Sequence, residues 1–362
     1  MNYSARQKKL AARLRQAGAG ALLVTHLPNI RYLCGFTGSA GVLVVIAGAR
    51  GAKSTLYTDG RYAQQAAGEV RGARVTIGGQ PALLAACEGV LKAKIQAVGF
   101  ESEHLTHSAY LGLGKLLRNK AKLKPSHDLV EIQRQLKDSD EIAQIRAAAL
   151  LGASLFPTLL AAARPGVSER MVAAELEMQA RKAGAEGMSF ETIVAAGPRS
   201  ALPHGRASSQ PIPTNGFIIM DYGVILSGYC SDMTRTVYLG KITPARRRMY
   251  EAVKAAQLAS IEAVRPGAEA GQVDQAGRLA LKKAGYEVYF THSTGHGVGL
   301  EIHESPRLAK GQTKKLEPGM VITVEPGIYI PEAGGVRIED MVLVTETGHE
   351  VLTPVAKDLI EL

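Results

Sequence analysis

The chain has no tryptophan, only 6 phenylalanines and 12 tyrosines, and 3 cysteines in 362 residues. With aromatic rings at 5%, the interior must be filled by alanine, valine, leucine and glycine. Cys34, Cys87 and Cys230 make no paired framework and no CxxC, which excludes a disulfide scaffold and fits a reducing compartment. Long apolar runs are missing too. The longest, Gly41 to Ala49, is far too short to span a bilayer. The opening stretch MNYSARQKKLAARLRQAGAGALLVT has basic residues but no compact apolar segment followed by a small-residue cleavage site. It reads as an amphipathic helix leading into a strand rather than as a signal peptide, so the expectation is a cytoplasmic protein with no membrane partner. Acidic residues are outnumbered, 33 against 43 basic, for a net charge of +10. The basic residues are dispersed over Arg6 to Arg15, Lys115 to Lys124 and Arg246 to Arg248, without interleaved aromatics, so no nucleic-acid partner is expected.

What is present is ordinary for a globular protein: 46% hydrophobic and 21% charged residues, with length enough for two domains. ALLVT, GVLVVIAG, STLYTDG and IQAVGFE read as buried strands, and helical periodicity appears near Arg6 to Gln16, Tyr62 to Ala67, Leu83 to Ala93 and Tyr110 to Leu117. That alternation predicts a small α/β domain over 1–130, closed where Pro125, Ser126 and His127 break the pattern. A long helix then begins near Asp138, with Asp138 or Ser139 as N-cap, and 131–362 forms a second domain. Within it AARPGVSE (162–169) recurs as AVRPGAEA (263–270), and RKAGAE (181–186) as KKAGYE (282–287), both at an offset of 101. Two matches at one offset predict two related halves, each a helix, a Pro-Gly turn, a second helix and then strands.

Five candidate metal ligands are spread over those halves: Asp221, Asp232, His296, Glu325 and Glu339. Four carboxylates and one imidazole carry too much negative charge for one buried cation and suit two divalent ions that activate a water for hydrolysis. FIIMDYG is an apolar strand ending in a carboxylate, and YCSDMTRTVYLG alternates as the next strand. A hairpin turning near Leu226 and Ser227 would set Asp221 opposite Asp232. Cys230, two residues from Asp232, reads as a small buried hydrophobe rather than a thiolate ligand. In HSTGHGVGLEIHE, His292 and His296 are four apart, but Gly295, Gly297 and Gly299 argue against a helical zinc pair and for close approach of the backbone to a ligand. VITVEPG ends a strand at Glu325, and VRIED places Arg337 and Glu339 on one strand face, with Arg337 able to orient a ligand carboxylate.

Together these stretches resemble the pita-bread metallopeptidases, the family of aminopeptidase P, prolidase and methionine aminopeptidase. The resemblance rests on PHG (203–205), DYGVILSGYCSDMTRT (221–236), THSTGHGVGLEIHE (291–304), VITVEPGIY (321–329) and RIED (337–340). NIRYLCGFTGSAG (29–41) and TDGRY (58–62) resemble the creatinase-type N-terminal domain of the proline-specific members, which methionine aminopeptidases lack. The resemblance implies an α/β (α+β) chain: a creatinase-like N-terminal domain followed by a pseudo-twofold pita-bread catalytic domain. It implies that Asp232 and Glu339 bridge two metals, with Asp221 on one ion and His296 and Glu325 on the other. Mn²⁺ is the expected metal, with Co²⁺ or Zn²⁺ as alternatives in vitro. It also implies Glu325 as the proton carrier, His303 at the developing oxyanion, His204 and His292 against the substrate, and Arg337 on a ligand. The substrates implied are short peptides with proline second, and the assembly a homodimer. The motifs GFTGSAG and TDGRY lean toward aminopeptidase P. The alternative is a prolidase restricted to dipeptides, in which Arg307 pairs with the dipeptide carboxylate. A binding module on the same fold is a further alternative, disfavoured by the complete ligand set. A two-metal phosphoesterase is disfavoured by the lack of a Gly-rich phosphate loop.

Overall fold

The computed structural model describes residues 1–49 and 51–362 and separates into two compact units, Met1–Arg134 and Gln135–Leu362. The expected boundary was near residue 130. In the first unit the strands are β1 (Ala21–Val24), β2 (Val42–Gly48), β3 (Gly51–Asp59), β4 (Arg74–Gly78), β5 (Ala97–Glu101) and β6 (Lys122–Ser126). They form one mixed sheet in the order β4-β3-β2-β1-β5-β6. Helices α1 (Tyr3–Gln16), α2 (Leu27–Cys34), α3 (Ala63–Glu69), α4 (Ala82–Lys92), α5 (His107–Leu117) and the single turn α6 (Glu131–Arg134) complete the unit. Leu23, Val44 and Val98 cluster with Val90 of α4 and Leu113 of α5. Leu22, Leu43 and Val45, which alternate to the other face, are equally buried. Covering on both faces is why these strands read as continuous apolar runs.

Two features differ from expectation. Pro125 and Ser126 do not end the pattern but lie in β6, which pairs in parallel with β5 alone. As an edge strand it can carry a proline that donates no hydrogen bond. Helix α2 escaped the periodicity reading because it is a two-turn helix, started at Pro28 and stopped by Gly35 in the left-handed region (φ 83°).

The second unit begins with α7 (Ser139–Ser154), whose N-cap Asp138 accepts from the backbone of Glu141 while the Glu141 side chain answers, a reciprocal capping box. Next come α8 (Phe156–Ala162) and α9 (Glu169–Lys182), then β7 (Gly187–Met188), β8 (Ile193–Ala196), β9 (Gly216–Tyr222), β10 (Val224–Leu226), β11 (Tyr229–Cys230) and β12 (Met233–Leu239). Helices α10 (Pro244–Glu262) and α11 (Ala270–Lys283) open the other half. It continues with β13 (Gly295–Gly297), β14 (Glu304–Leu308), β15 (Val321–Val324), β16 (Gly327–Ile330), β17 (Gly334–Arg337), β18 (Asp340–Val344) and β19 (His349–Val351). Among the described residues Ser139–Ala162 is the one stretch long and apolar enough to cross a membrane by length and composition. Here it is interrupted at Leu155, before Pro157, and buries Ile145 and Ala149 against Tyr229, Val298 and Val321.

The repeat is structural. Helices α9 and α11 are each 14 residues long, and the bridges Ser168–Pro211 and Glu269–Lys315 begin at positions 101 apart. Each half then builds antiparallel strands, β12-β9-β8 in the first and β14-β13-β15-β18-β19 in the second. Gly295 and Gly297 explain the glycine-rich stretch differently from expectation: they admit the neighbouring strands rather than a ligand. A Cβ on Gly295 would stand 2.0 Å from the Thr323 carbonyl oxygen, and one on Gly297 2.4 Å from that of Ser305. Gly295→Ala should therefore destabilise the metal-free protein by about 3 kcal/mol, read as a lowered urea midpoint. A midpoint equal to the parent's would show that β13 and β15 can part at no cost.

Candidate active site

The hairpin that carries Asp221 and Asp232 turns one residue later than expected. Ser227 (φ 50°) and Gly228 (φ 75°) occupy the turn, and two successive positive φ values make it the tight turn whose twist suits a hairpin. Leu226 then pairs with Tyr229, and the same register sets Asp221 opposite Thr234 rather than Asp232. Asp232 immediately precedes β12, two residues before Thr234 and so on the same face as Asp221 by the strand period. The pair is diagonal, and Thr234 fills the place between, its hydroxyl donating to Glu339 Oε2 at 2.7 Å.

From the other half, His296 sits in β13, Glu325 follows β15, and Glu339 lies between β17 and β18. Arg337 and Glu339 are thus not on one strand, because the chain passes from the β16–β17 ribbon into the β15–β18 sheet at Ile338 and Glu339. Even so, ligand atoms of Asp232, His296 and Glu339 all lie within 4.8 Å of one another. His296 Nε2 is 3.7 Å from Asp232 Oδ2 and 3.6 Å from Glu325 Oε1. Its Nδ1 is 3.0 Å from the Gly297 carbonyl, which can only accept. The proton therefore sits on Nδ1, and the Nε2 lone pair is left toward the carboxylates, the tautomer a metal ligand needs.

Arg337 ties the carboxylates to the cavity wall. Its Nη2 donates to Asp221 Oδ2 at 2.5 Å, Nε to Thr234 Oγ1 at 3.2 Å, and Nη1 to the Tyr329 hydroxyl at 2.7 Å and the Pro203 carbonyl at 2.9 Å. Burial pushes the Tyr329 phenol up to about 12. It stays protonated and donates to His292 Nε2 at 2.8 Å, while His292 Nδ1 donates to the Ser293 carbonyl at 2.8 Å. Burial, helped by the Arg337 charge, depresses His292 to about 3, so the ring is neutral with both nitrogens engaged by the protein. Sequence reasoning assigned His292 to the substrate, but only its ring carbons remain free to meet one. A second brace reaches this segment from α11: Arg278 donates to the carbonyls of Phe290 and His292, and Asp274 accepts from Arg278 and from the Thr294 hydroxyl. Tyr329, Thr234, Asp274 and Arg278 were not anticipated. The strand period beside Asp232 and the four-residue helical spacing of Asp274 and Arg278 were the available signals.

All ten expected site residues line one cavity of about 760 Å³. Asp221, Asp232, Glu339 and Arg337 are buried, His292, His296 and Glu325 half-buried, and His204, His303 and Arg307 exposed. Phe190, Ile193 and Ile302 add apolar wall. Burial raises Asp232, and the charges of Glu339, Asp221 and Glu325 raise it further; burial and the Glu325 and Asp221 charges raise Glu339. Burial lifts Glu325 to about 8 and lowers His296 to about 4. Asp221 Oδ1 is buried with no hydrogen-bond partner among the described residues. An orphaned carboxylate oxygen, a deprotonated imidazole nitrogen and crowded carboxylates are the donor set of divalent cations, so the residues fit a metal site.

The comparisons agree with this chemistry. Residues 143–346 match the metallopeptidase family M24, and residues 6–136 match the creatinase/prolidase N-terminal domain. The solved Xaa-Pro dipeptidase from Bacillus anthracis superimposes with a TM-score of 0.96 at 40% identity, over 100% of both chains. The Xaa-Pro dipeptidase of Pyrococcus horikoshii is 35% identical over 98% of each sequence. The X-Pro aminopeptidase from Thermotoga maritima superimposes with a TM-score of 0.88 at 32% identity, over 97% of this chain and 100% of its own.

The raised carboxylates give a pH signature. In the metal-free fold Glu325 keeps a proton up to about 8, whereas the unfolded chain releases it near 4.5. That proton-linked stability is present below 4.5 and is lost as pH rises through 8. Metal binding requires the ionised groups and removes the loss. The gap in melting temperature between metal-loaded and metal-free protein should widen from pH 6 to pH 9 by calorimetry; a constant or narrowing gap would contradict this account.

Proposed function

This chain belongs to metallopeptidase family M24, and from that premise we propose that it is an Xaa-Pro dipeptidase, hydrolysing the bond between an N-terminal residue and a following proline in dipeptides. The observation that carries the hydrolase reading is the donor set around Asp221 Oδ1 and His296 Nε2, which suits divalent cations. The sequence motifs leaned toward aminopeptidase P. The full-length similarity to two Xaa-Pro dipeptidases favours the dipeptidase alternative instead.

Two ions held by Asp221, Asp232, His296, Glu325 and Glu339 would supply an acidified water and a positive charge for the scissile carbonyl oxygen. Mn²⁺ suits the carboxylate-rich shell, with Co²⁺ or Zn²⁺ as alternatives. Asp232 and Glu339, the carboxylates gathered with His296, would be shared by the two ions. Glu325 accepts the water's proton and returns one to the leaving proline nitrogen. His303 steadies the developing oxyanion, and His204 contacts the substrate beside the scissile bond. Arg337 holds Asp221 in place, and His292 holds Tyr329 against Arg337. Arg307, exposed on β14 and lining the same cavity, pairs with the free carboxylate of a dipeptide. Three buried cysteines that form no disulfide suit the cytoplasm, and the family resemblance supports a homodimer; both are part of this proposal.

The X-Pro aminopeptidase neighbour sustains a second reading, in which longer peptides are cut. Mn²⁺-loaded protein given Ala-Pro and Ala-Pro-Ala side by side decides between them. Cleavage confined to Ala-Pro and abolished by Asp232→Ala is the expected result, whereas efficient tripeptide cleavage would make the enzyme an aminopeptidase. Arg307→Ala should lower kcat/KM on Ala-Pro by about tenfold to a hundredfold through loss of the carboxylate pair. An unchanged value would remove Arg307 from the site.

A further inference from the structure

Glu169 is the first residue of α9 and is 1% exposed, yet it takes no part in the cavity wall. Its carboxylate is committed to one loop. Oε1 accepts from the Ala196 backbone N–H at 2.9 Å. Oε2 accepts from the Ser208 backbone N–H at 3.0 Å and its hydroxyl at 2.6 Å. Arg199 Nε reaches Oε2 at 2.9 Å and Oε1 at 3.2 Å, and Arg199 Nη2 donates to the Arg206 carbonyl at 2.8 Å. These partners bracket residues 197–208, the excursion after β8 that presents His204 to the cavity. Its tip is held separately, the Pro203 carbonyl accepting from the same Arg337 that holds Asp221.

His204 itself is exposed, and among the described residues no side-chain hydrogen bond holds its imidazole. The place of that ring is therefore set by its backbone. The loop is also tied through Ser200 Oγ, which accepts from the Gly335 N–H at 2.9 Å, and through an exposed Arg206–Glu191 ion pair; the Glu169 carboxylate adds the fastening that joins its two ends, Ala196 and Ser208. A buried carboxylate accepting several charge-assisted and backbone hydrogen bonds makes such a fastening strong and directional.

We propose that Glu169 and Arg199 form a positioning pair for His204, a clamp outside the cavity that fixes the loop base so that the imidazole meets the substrate in one place. The inference rests on the reading of His204 as a substrate-contact residue, but the clamp itself is a property of the fold. Glu169→Gln would replace one acceptor oxygen by an amide that confronts the N–H donors, and Arg199→Met would remove the cross-brace from a side chain 31% exposed, so that variant also serves if the first fails to fold.

Two readouts test it. In metal-free protein the His204 imidazole Cε1–H signal, assigned by its loss in His204→Gln, should shift or broaden in both variants while that of His349 stays fixed. In Mn²⁺-loaded enzyme kcat on Ala-Pro should fall by about tenfold to a hundredfold, with metal affinity kept within about twofold. Arg199→Lys, which keeps the charge, should recover most of the loss, and the double variant should be no worse than Glu169→Gln. A lowered melting temperature with His204 signal and kcat unchanged would make the pair purely structural and overturn the inference. If the His204 signal responds but the parent protein cuts no Xaa-Pro peptide, the clamp stands and the proposed substrate falls.

Discussion

Asp221, Asp232, Glu325 and Glu339 share one cavity, and their mutual repulsion is what the catalytic unit has to withstand. Two like charges about 4 Å apart repel by about 4 kcal/mol even at the effective dielectric of a protein surface. Arg337 answers part of that charge through Asp221, and Thr234 gives Glu339 a donor. Asp221 Oδ1 and the raised proton affinities of Asp232, Glu325 and Glu339 show what is left over. Divalent cations offset that remainder, so metal binding and the stability of this region are one problem.

The two repeat-related halves solve it by division. Each brings a short antiparallel sheet to the site, with Asp221 and Asp232 delivered by a single tight hairpin, His296 by β13, and Glu325 and Glu339 by the turns after β15 and β17. Behind these strands lie polar braces that never touch the cavity. Asp274 and Arg278 hold the His292–Thr294 segment from α11, and Glu169 of α9 holds the His204 loop, in part through that loop's own Arg199. The helices are repeat partners, but the braces use different positions on them. The same task was met twice with different residues.

Burial grades the site by task. Asp221, Asp232, Glu339 and Arg337 are buried, with His296 and Glu325 half-buried beside them, where low dielectric and fixed geometry suit a metal site. His204, His303 and Arg307 stand exposed on the wall of the same cavity. A solved Xaa-Pro dipeptidase and a solved X-Pro aminopeptidase both share this fold.

Most of the α/β alternation in the first unit was legible, because strands buried on both faces read as unbroken apolar runs and helices α1, α3, α4 and α5 carry a 3.6-residue period. A two-turn helix and an edge strand holding Pro125 were not, since neither leaves a periodic trace. The repeat at an offset of 101 was visible in sequence and is present in the helices and bridges. Residue types and order by themselves pointed to the candidate donors, because an aspartate or glutamate that closes an apolar strand is costly to bury without a partner. Only the tertiary structure decided the register that set Thr234, not Asp232, opposite Asp221. It alone ended β17 at Arg337, so that Glu339 falls between two strands, and closed both nitrogens of His292. Those outcomes turn on a one-residue displacement of a turn and on side chains from distant segments meeting, and pairing across a hundred residues leaves no local signature in a chain.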